Sequence, residues 1–167
     1  AGTDKQRLED LQEAFNDEET KAVLCSRGGY GTVRIIDKID FNPFLKNPKW
    51  LIGFSDITIL HACFNNLDVA TIHGVMPRYF FNEKNAPTEN LHSLMKLLSG
   101  ECVSYAFPGN KQNRNGSVSG ELTGGNLSIL SSLQGTKYEI DTEGKVLFLE
   151  DIEEFLHHTD RMIHQLK

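Results

Sequence analysis

Ser55 has neighbours that suit a nucleophile. It stands in Trp50-Leu51-Ile52-Gly53-Phe54-Ser55-Asp56-Ile57-Thr58, where a short apolar run, Trp50 to Phe54, stops at a small polar residue. Ile57, Leu60, His61 and Phe64 then recur at helical spacing, so the stretch reads as a strand turning sharply into a helix. A serine on such a turn projects its hydroxyl out of the backbone. The first N–H groups of the helix lie beside it, ready to stabilise an oxyanion. Gly53 relieves crowding there, but Ile57 occupies the place of the second glycine in the general Gly-x-Ser-x-Gly elbow. An N-cap role, which serine favours, is the competing reading of Ser55.

Three other groups of residues carry chemical potential. Arg27-Gly28-Gly29-Tyr30-Gly31 could cradle a phosphate through backbone N–H groups at a helix start, or supply one oxyanion N–H beside Ser55. It lacks the Lys-Ser/Thr ending of a P-loop and does not complete Gly-x-Gly-x-x-Gly, and a tight turn alone would also need its glycines. Glu150-Asp151, ending an apolar run, could orient a catalytic histidine or serve as an acid or base; carboxylates also commonly end strands. His73 is the nearby candidate partner for Ser55, with a structural role as its alternative. His157, His158 and His164 fit a solvated helix face, and no spacing among them or the cysteines matches a metal site.

The elements that must position these residues follow from periodicity. A helix capped by Thr3 or Asp4 runs to about Asn16 with Leu8, Leu11 and Phe15 as its apolar stripe. Ala22-Val23-Leu24-Cys25 reads as a buried parallel strand, followed by the glycine turn and a helix through Val33, Ile36 and Ile39. Two successive βα units predict an open parallel sheet of the flavodoxin or Rossmann type, with both special turns on its ligand-binding edge. Val69 to Ile72 reads as a further strand, ending at His73-Gly74. A helix with Leu91, Leu94 and Leu98 follows, then a Gly-, Asn- and Ser-rich stretch from Pro108 to Gly120. Thr123-Gly124-Gly125-Asn126 leads into a helix with Leu127, Leu130 and Leu133, and Val146 to Leu149 is a strand ahead of Glu150. These elements divide as a nucleophile-bearing α/β domain at 1–84, a linking region at 85–117 and the start of a smaller mixed α/β domain at 118–167.

Composition narrows the classes. The chain has 167 residues, 39% of them hydrophobic and 24% charged, as in ordinary soluble globular proteins. A net charge of −6 disfavours nucleic acid as a partner, and no apolar run approaches membrane-spanning length. Cys25, Cys63 and Cys102 are odd in number and widely spaced, which suggests reduced thiols and, without a secretory signal pattern, a cytoplasmic location.

Taken in order, Ser26-Arg27-Gly28-Gly29-Tyr30-Gly31, Asn47-Pro48-Lys49, Gly53-Phe54-Ser55-Asp56-Ile57-Thr58, His73-Gly74, Gly124-Gly125-Asn126-Leu127, Leu149-Glu150-Asp151-Ile152 and Asp160-Arg161-Met162 form a more specific signal than any one of them. This set closely resembles the serine LD-carboxypeptidases, the muramoyltetrapeptide carboxypeptidases of peptidase family S66, which include the microcin C immunity peptidases. The resemblance implies Ser55 as nucleophile, Glu150 as second triad member and a histidine downstream of Lys167 as the third. It also implies backbone N–H groups of Asp56, Gly28 and Gly29 as oxyanion donors, and Arg27, Gly124, Gly125 and Asn126 as substrate contacts. Leu156-His157-His158-Thr159 departs from the family pattern, which carries an aromatic residue and an arginine ahead of Asp-Arg-Met. With the family's first strand upstream of Ala1, the chain reads as the central part of a longer enzyme.

The implied reaction is acyl transfer without metal or organic cofactor. Its implied substrate is a murein tetrapeptide, cut between the L-centre of a diamino acid and terminal D-alanine, as in cell-wall peptide recycling. The alternative within the family is a peptidyl- or aminoacyl-nucleotide, stacked on an aromatic loop residue; the only tryptophan, Trp50, lies on the strand side of the elbow. Outside the family, a non-catalytic phosphate- or nucleotide-binding module would use the Gly28-Gly29-x-Gly31 turn. The expected partners are the peptide substrate and, as an option, a second copy of the chain, with no nucleic acid and no membrane.

Overall fold

A computed structural model describes residues 2–166. Helix α1 (Asp4–Asn16) starts at Thr3, whose hydroxyl accepts from Gln6 N while the Gln6 side chain accepts from Thr3 N, a reciprocal capping box. Phe15 is fully buried and Leu8 and Leu11 pack beside it, as their spacing predicts. Strand β1 (Ala22–Leu24) pairs in parallel with β2 (Trp50–Gly53), and β2 pairs in parallel with β3 (Ile72–His73). Between β1 and β2 lies the short helix α2 (Asn42–Lys46). Lys49, just before β2, is buried and donates through Nζ to Phe15 O at 3.1 Å and Asp17 O at 2.6 Å. It thereby satisfies carbonyls at the end of α1 and ties that helix to the sheet.

After the Ser55 turn comes α3 (Thr58–Asn65), buried on every side from Thr58 to Phe64. Its core is aromatic: Phe64 meets Phe44, Phe15 and Phe41 with ring centroids 4.2, 5.8 and 5.3 Å apart. Helix α4 (Glu89–Leu98) caps the other face, where Leu94 packs on Ile52 and Ile72. Residues 101–120 carry no helix or strand. A second parallel pair, β4 (Leu122–Asn126) and β5 (Val146–Glu150), frames α5 (Leu127–Leu133), and α6 (Leu156–Gln165) follows. Leu130 and Leu133 of α5 enter the same core as Phe15 and Phe64.

The α/β class and the parallel sheets agree with the periodicity, while three local expectations need correction. The segment expected as a helix through Val33, Ile36 and Ile39 forms two 3-10 turns, Thr32–Arg34 and Ile36–Lys38. Its β-branched residues disfavour an α-helix, and the buried side chains are Thr32, Ile35, Ile36 and Ile39, with Val33 exposed. The strand expected from Val69 contracts to Ile72–His73, because Val69 N bonds back to Phe64 O and Thr71 turns its hydroxyl to His61. Strand β1 is not a buried strand: Ala22 and Leu24 are exposed and Val23 half-buried, as befits the outer position in the described order β1-β2-β3.

Candidate active site

Ser55 is held in a left-handed backbone, with φ of 61°. That conformation costs a non-glycine residue about 1–2 kcal/mol and persists only where the surroundings impose it. Here they do. Gly53 ends β2 under the side chain of Ile57 and beside Cys25, and a Cβ there would lie 3.0 Å from Ile57 Cγ1. The chain then enters a 3-10 turn, Ser55–Ile57, that runs straight into α3. No side-chain cap bond is made at the start of the turn or of α3, so Ser55 is not an N-cap. Its position is that of a strand-to-helix elbow.

The glycine turn reaches the same place because β1 and β2 run in parallel and end together. A Cβ on Gly28 would sit 2.9 Å from Ser55 Cβ and 3.1 Å from Ser55 Oγ, so only glycine allows this approach. Gly29 and Gly31 take positive φ of 111° and 118°. Arg27 is exposed, with its guanidinium alongside Gly29. Asp56 is buried, and its Oδ2 accepts from Thr32 N at 3.0 Å and Thr32 Oγ1 at 2.7 Å.

Glu150 comes to this edge through β4. Asn126 pairs in register with Glu150, and Asn126 N donates to Thr58 Oγ1 at 3.0 Å, three residues beyond Ser55. Gly125 permits this contact, since a Cβ there would fall 2.7 Å from Thr58 Cγ2; at Gly124 a Cβ would collide with Phe148 O. These glycines serve close packing, and Asn126 caps α5 by accepting from Ile129 N at 3.1 Å. Asp151 accepts from Ser128 N and Asn126 Nδ2, which fixes the end of β5. The spacing alone did not single out Thr32 or Thr58; Thr58 is a hydroxyl between Ile57 and Ile59, which was the available signal, whereas Thr32, between Gly31 and Val33-Arg34, offered none.

Glu150 Oε1 lies 3.9 Å from His73 Nε2. Burial pushes the Glu150 carboxyl above its usual value and the Asp151 charge adds to this, with the Asn126 amide in opposition. Burial likewise lowers His73, which therefore favours its neutral form. His61 is engaged on both ring nitrogens, with Nε2 2.9 Å from Gly53 O and Nδ1 2.7 Å from Thr71 Oγ1. The carbonyl must accept, so Nε2 carries the proton and Nδ1 accepts from the threonine. A cavity of about 650 Å³ opens between the two sheets, with His61, His73, Gly124 and Phe148 in its wall; Ser55, Glu150, Arg27 and Asn126 do not line it. No group of three or more His, Cys, Asp or Glu side chains suited to a metal occurs among the described residues.

A serine on an elbow, a glycine turn against it and a carboxylate on the same edge suit nucleophilic acyl transfer. Comparison with known proteins agrees on ancestry. Residues 1–74 match the family model described as the LD-carboxypeptidase N-terminal domain, and residues 119–167 match the LD-carboxypeptidase C-terminal domain. The chain belongs to the LD-carboxypeptidase family. A probable murein peptide carboxypeptidase of Bacillus subtilis is 42% identical over 186 residues, covering 100% of this chain and 53% of that protein. The murein tetrapeptide carboxypeptidase of Pseudomonas aeruginosa is 36% identical, covering 99% and 57%. The crystal structure of muramoyltetrapeptide carboxypeptidase from Oxalobacter formigenes superposes with a TM-score of 0.85 at 29% identity, over 99% of this chain and 56% of that one. The chain thus spans about half the length of the family members it matches.

Proposed function

We propose that the whole protein is a serine LD-carboxypeptidase that releases terminal D-alanine from murein tetrapeptide. The observation that carries this reading is Ser55, strained at φ of 61° with the Gly28 backbone against its side chain. Ser55 Oγ attacks the carbonyl of the L,D-bond while a histidine takes its proton. The oxyanion is received by N–H groups of the glycine turn, Gly28 and Gly29, and by that of Asp56, each donor being worth about 3 kcal/mol. Collapse breaks the C–N bond, the histidine returns the proton to the amine of D-alanine, and water then hydrolyses the acyl-enzyme. Glu150 orients the histidine.

Family resemblance assigns that histidine to the part of the protein outside this chain, and the geometry supports the assignment. Both nitrogens of His61 are committed, and His73 Nδ1 is buried without a hydrogen-bond partner among the described residues. Arg27, exposed and with its guanidinium beside Gly29, is the cation this reading assigns to a substrate carboxylate. A nucleotide-linked substrate gains less support, because Trp50 begins β2 whereas Ser55 follows its other end.

The test is D-alanine release from murein tetrapeptide by the full-length protein and its Ser55→Ala variant, beside fluorophosphonate labelling of Ser55. Turnover and labelling that both vanish in a folded Ser55→Ala protein are expected. Undiminished turnover in that variant would refute the nucleophile, and absence of both signals in the parent would favour a binding module. Residues 1–167 alone are expected to lack turnover.

A further inference from the structure

We propose that the Asp56 carboxylate and the Thr32 hydroxyl are positioning groups that set the Gly28–Gly31 turn against Ser55. The proposal rests on Ser55 being the nucleophile. A turn with Gly28, Gly29 and Gly31 has wide backbone freedom, so an oxyanion donor built from it needs an external restraint. The only side chain hydrogen-bonding the start of the following 3-10 turn, among the described residues, is Asp56. Its Oδ2 takes both the N–H and the hydroxyl of Thr32, across 24 positions of sequence, and both residues are 5% exposed. Two bonds of 3.0 and 2.7 Å converging on one buried carboxyl oxygen pin the start of the turn at a fixed point. One residue therefore serves both sides of the site. The Asp56 backbone follows Ser55 directly, and its side chain holds the opposing turn. Any slackening would move the donors relative to Ser55 Oγ while leaving the substrate's remote contacts in place.

This predicts a loss in kcat with little change in KM, because the restraint acts where charge develops in the transition state. In the full-length protein, Thr32→Val keeps the shape and the backbone N–H but deletes the hydroxyl, and kcat for D-alanine release should fall about ten- to hundred-fold. Thr32→Ser restores the hydroxyl and should recover most of it. Where Thr32→Val melts below the assay temperature, Thr32→Ala takes its place. Parental kcat in the folded Val or Ala variant overturns the proposal, as does an equal loss in a folded Thr32→Ser. Ser55→Ala run alongside separates the two readings. If it retains turnover, the nucleophile is wrong whatever Thr32 does; if it is dead while Thr32→Val is unimpaired, only the positioning role falls.

Discussion

Glu150 and His73 meet across the two sheets, with Oε1 and Nε2 3.9 Å apart and neither Glu150 Oε1 nor His73 Nδ1 hydrogen-bonded to a described residue. The His73 ring packs instead on Phe148, His61 and Phe54, at centroid distances of 5.2, 5.8 and 6.2 Å. A general base for Ser55 would need one nitrogen on the serine and the other on Glu150. His73 Nδ1 is shut away from both. His73→Gln in the full-length protein should therefore cost less than about tenfold in kcat/KM, against loss of all measurable turnover for Ser55→Ala. Equal losses in folded proteins would make His73 the base.

Gly28 offers a test of how close the turn must come. Its φ lies outside the left-handed range, so a methyl there brings no backbone strain; the clash is with Ser55 Cβ at 2.9 Å and Oγ at 3.1 Å. Gly28→Ala must push the turn and the serine apart. Activity should drop at least about a hundredfold, while the melting temperature of the full-length protein changes by no more than a few degrees. Full activity in Gly28→Ala would mean that the turn does not define the site.

Much of this was legible in residue order. The abrupt change from Gly53-Phe54 to Ser55-Asp56 marked the elbow, and parallel βα units placed the glycine turn beside it, because local pattern and sheet topology agree there. The helix expected through Val33, Ile36 and Ile39 forms 3-10 turns, since every-third spacing of apolar residues does not distinguish these from an α-helix; Ile36 and Ile39 are buried as expected, and Ile35 is buried where Val33 is exposed. The Thr32–Asp56 and Thr58–Asn126 bonds were out of reach: hydroxyls take partners set by tertiary approach, 24 and 68 positions apart. Gly124 and Gly125, read as substrate contacts, find a packing reason in Phe148 and Thr58.

The backbone of Ser55 makes a separate prediction about stability. At φ of 61° a Cβ is disfavoured, and glycine escapes that penalty though it adds entropy to the unfolded chain. Ser55→Gly should therefore be more stable than Ser55→Ala by about 0.5–1 kcal/mol, although both should lack turnover. Urea unfolding of the two full-length variants measures the difference. A more stable alanine variant would show that the elbow relaxes once the hydroxyl is gone.

His61 should make stability depend on pH. Burial pushes its imidazole down to about 4, the neighbouring His73 adds to this, and the bond to Gly53 O works the other way. The unfolded chain binds the proton near the ordinary value of about 6.5, so below that pH protons favour unfolding. The contribution from His61 is present in full above pH 6.5 and is lost as pH falls toward 4, to a limit of about 3 kcal/mol. The added proton goes to Nδ1, where the Thr71 hydroxyl must stop donating, while the Nε2–H bond to Gly53 O, two residues before Ser55, stays in place. The side-chain resonances of His61 in the full-length protein should show no titration between pH 8 and about pH 5. A His61 that titrates near 6.5, or stability that does not fall between pH 6.5 and 4.5, would mean that the ring is open to water and does not clamp the strand end.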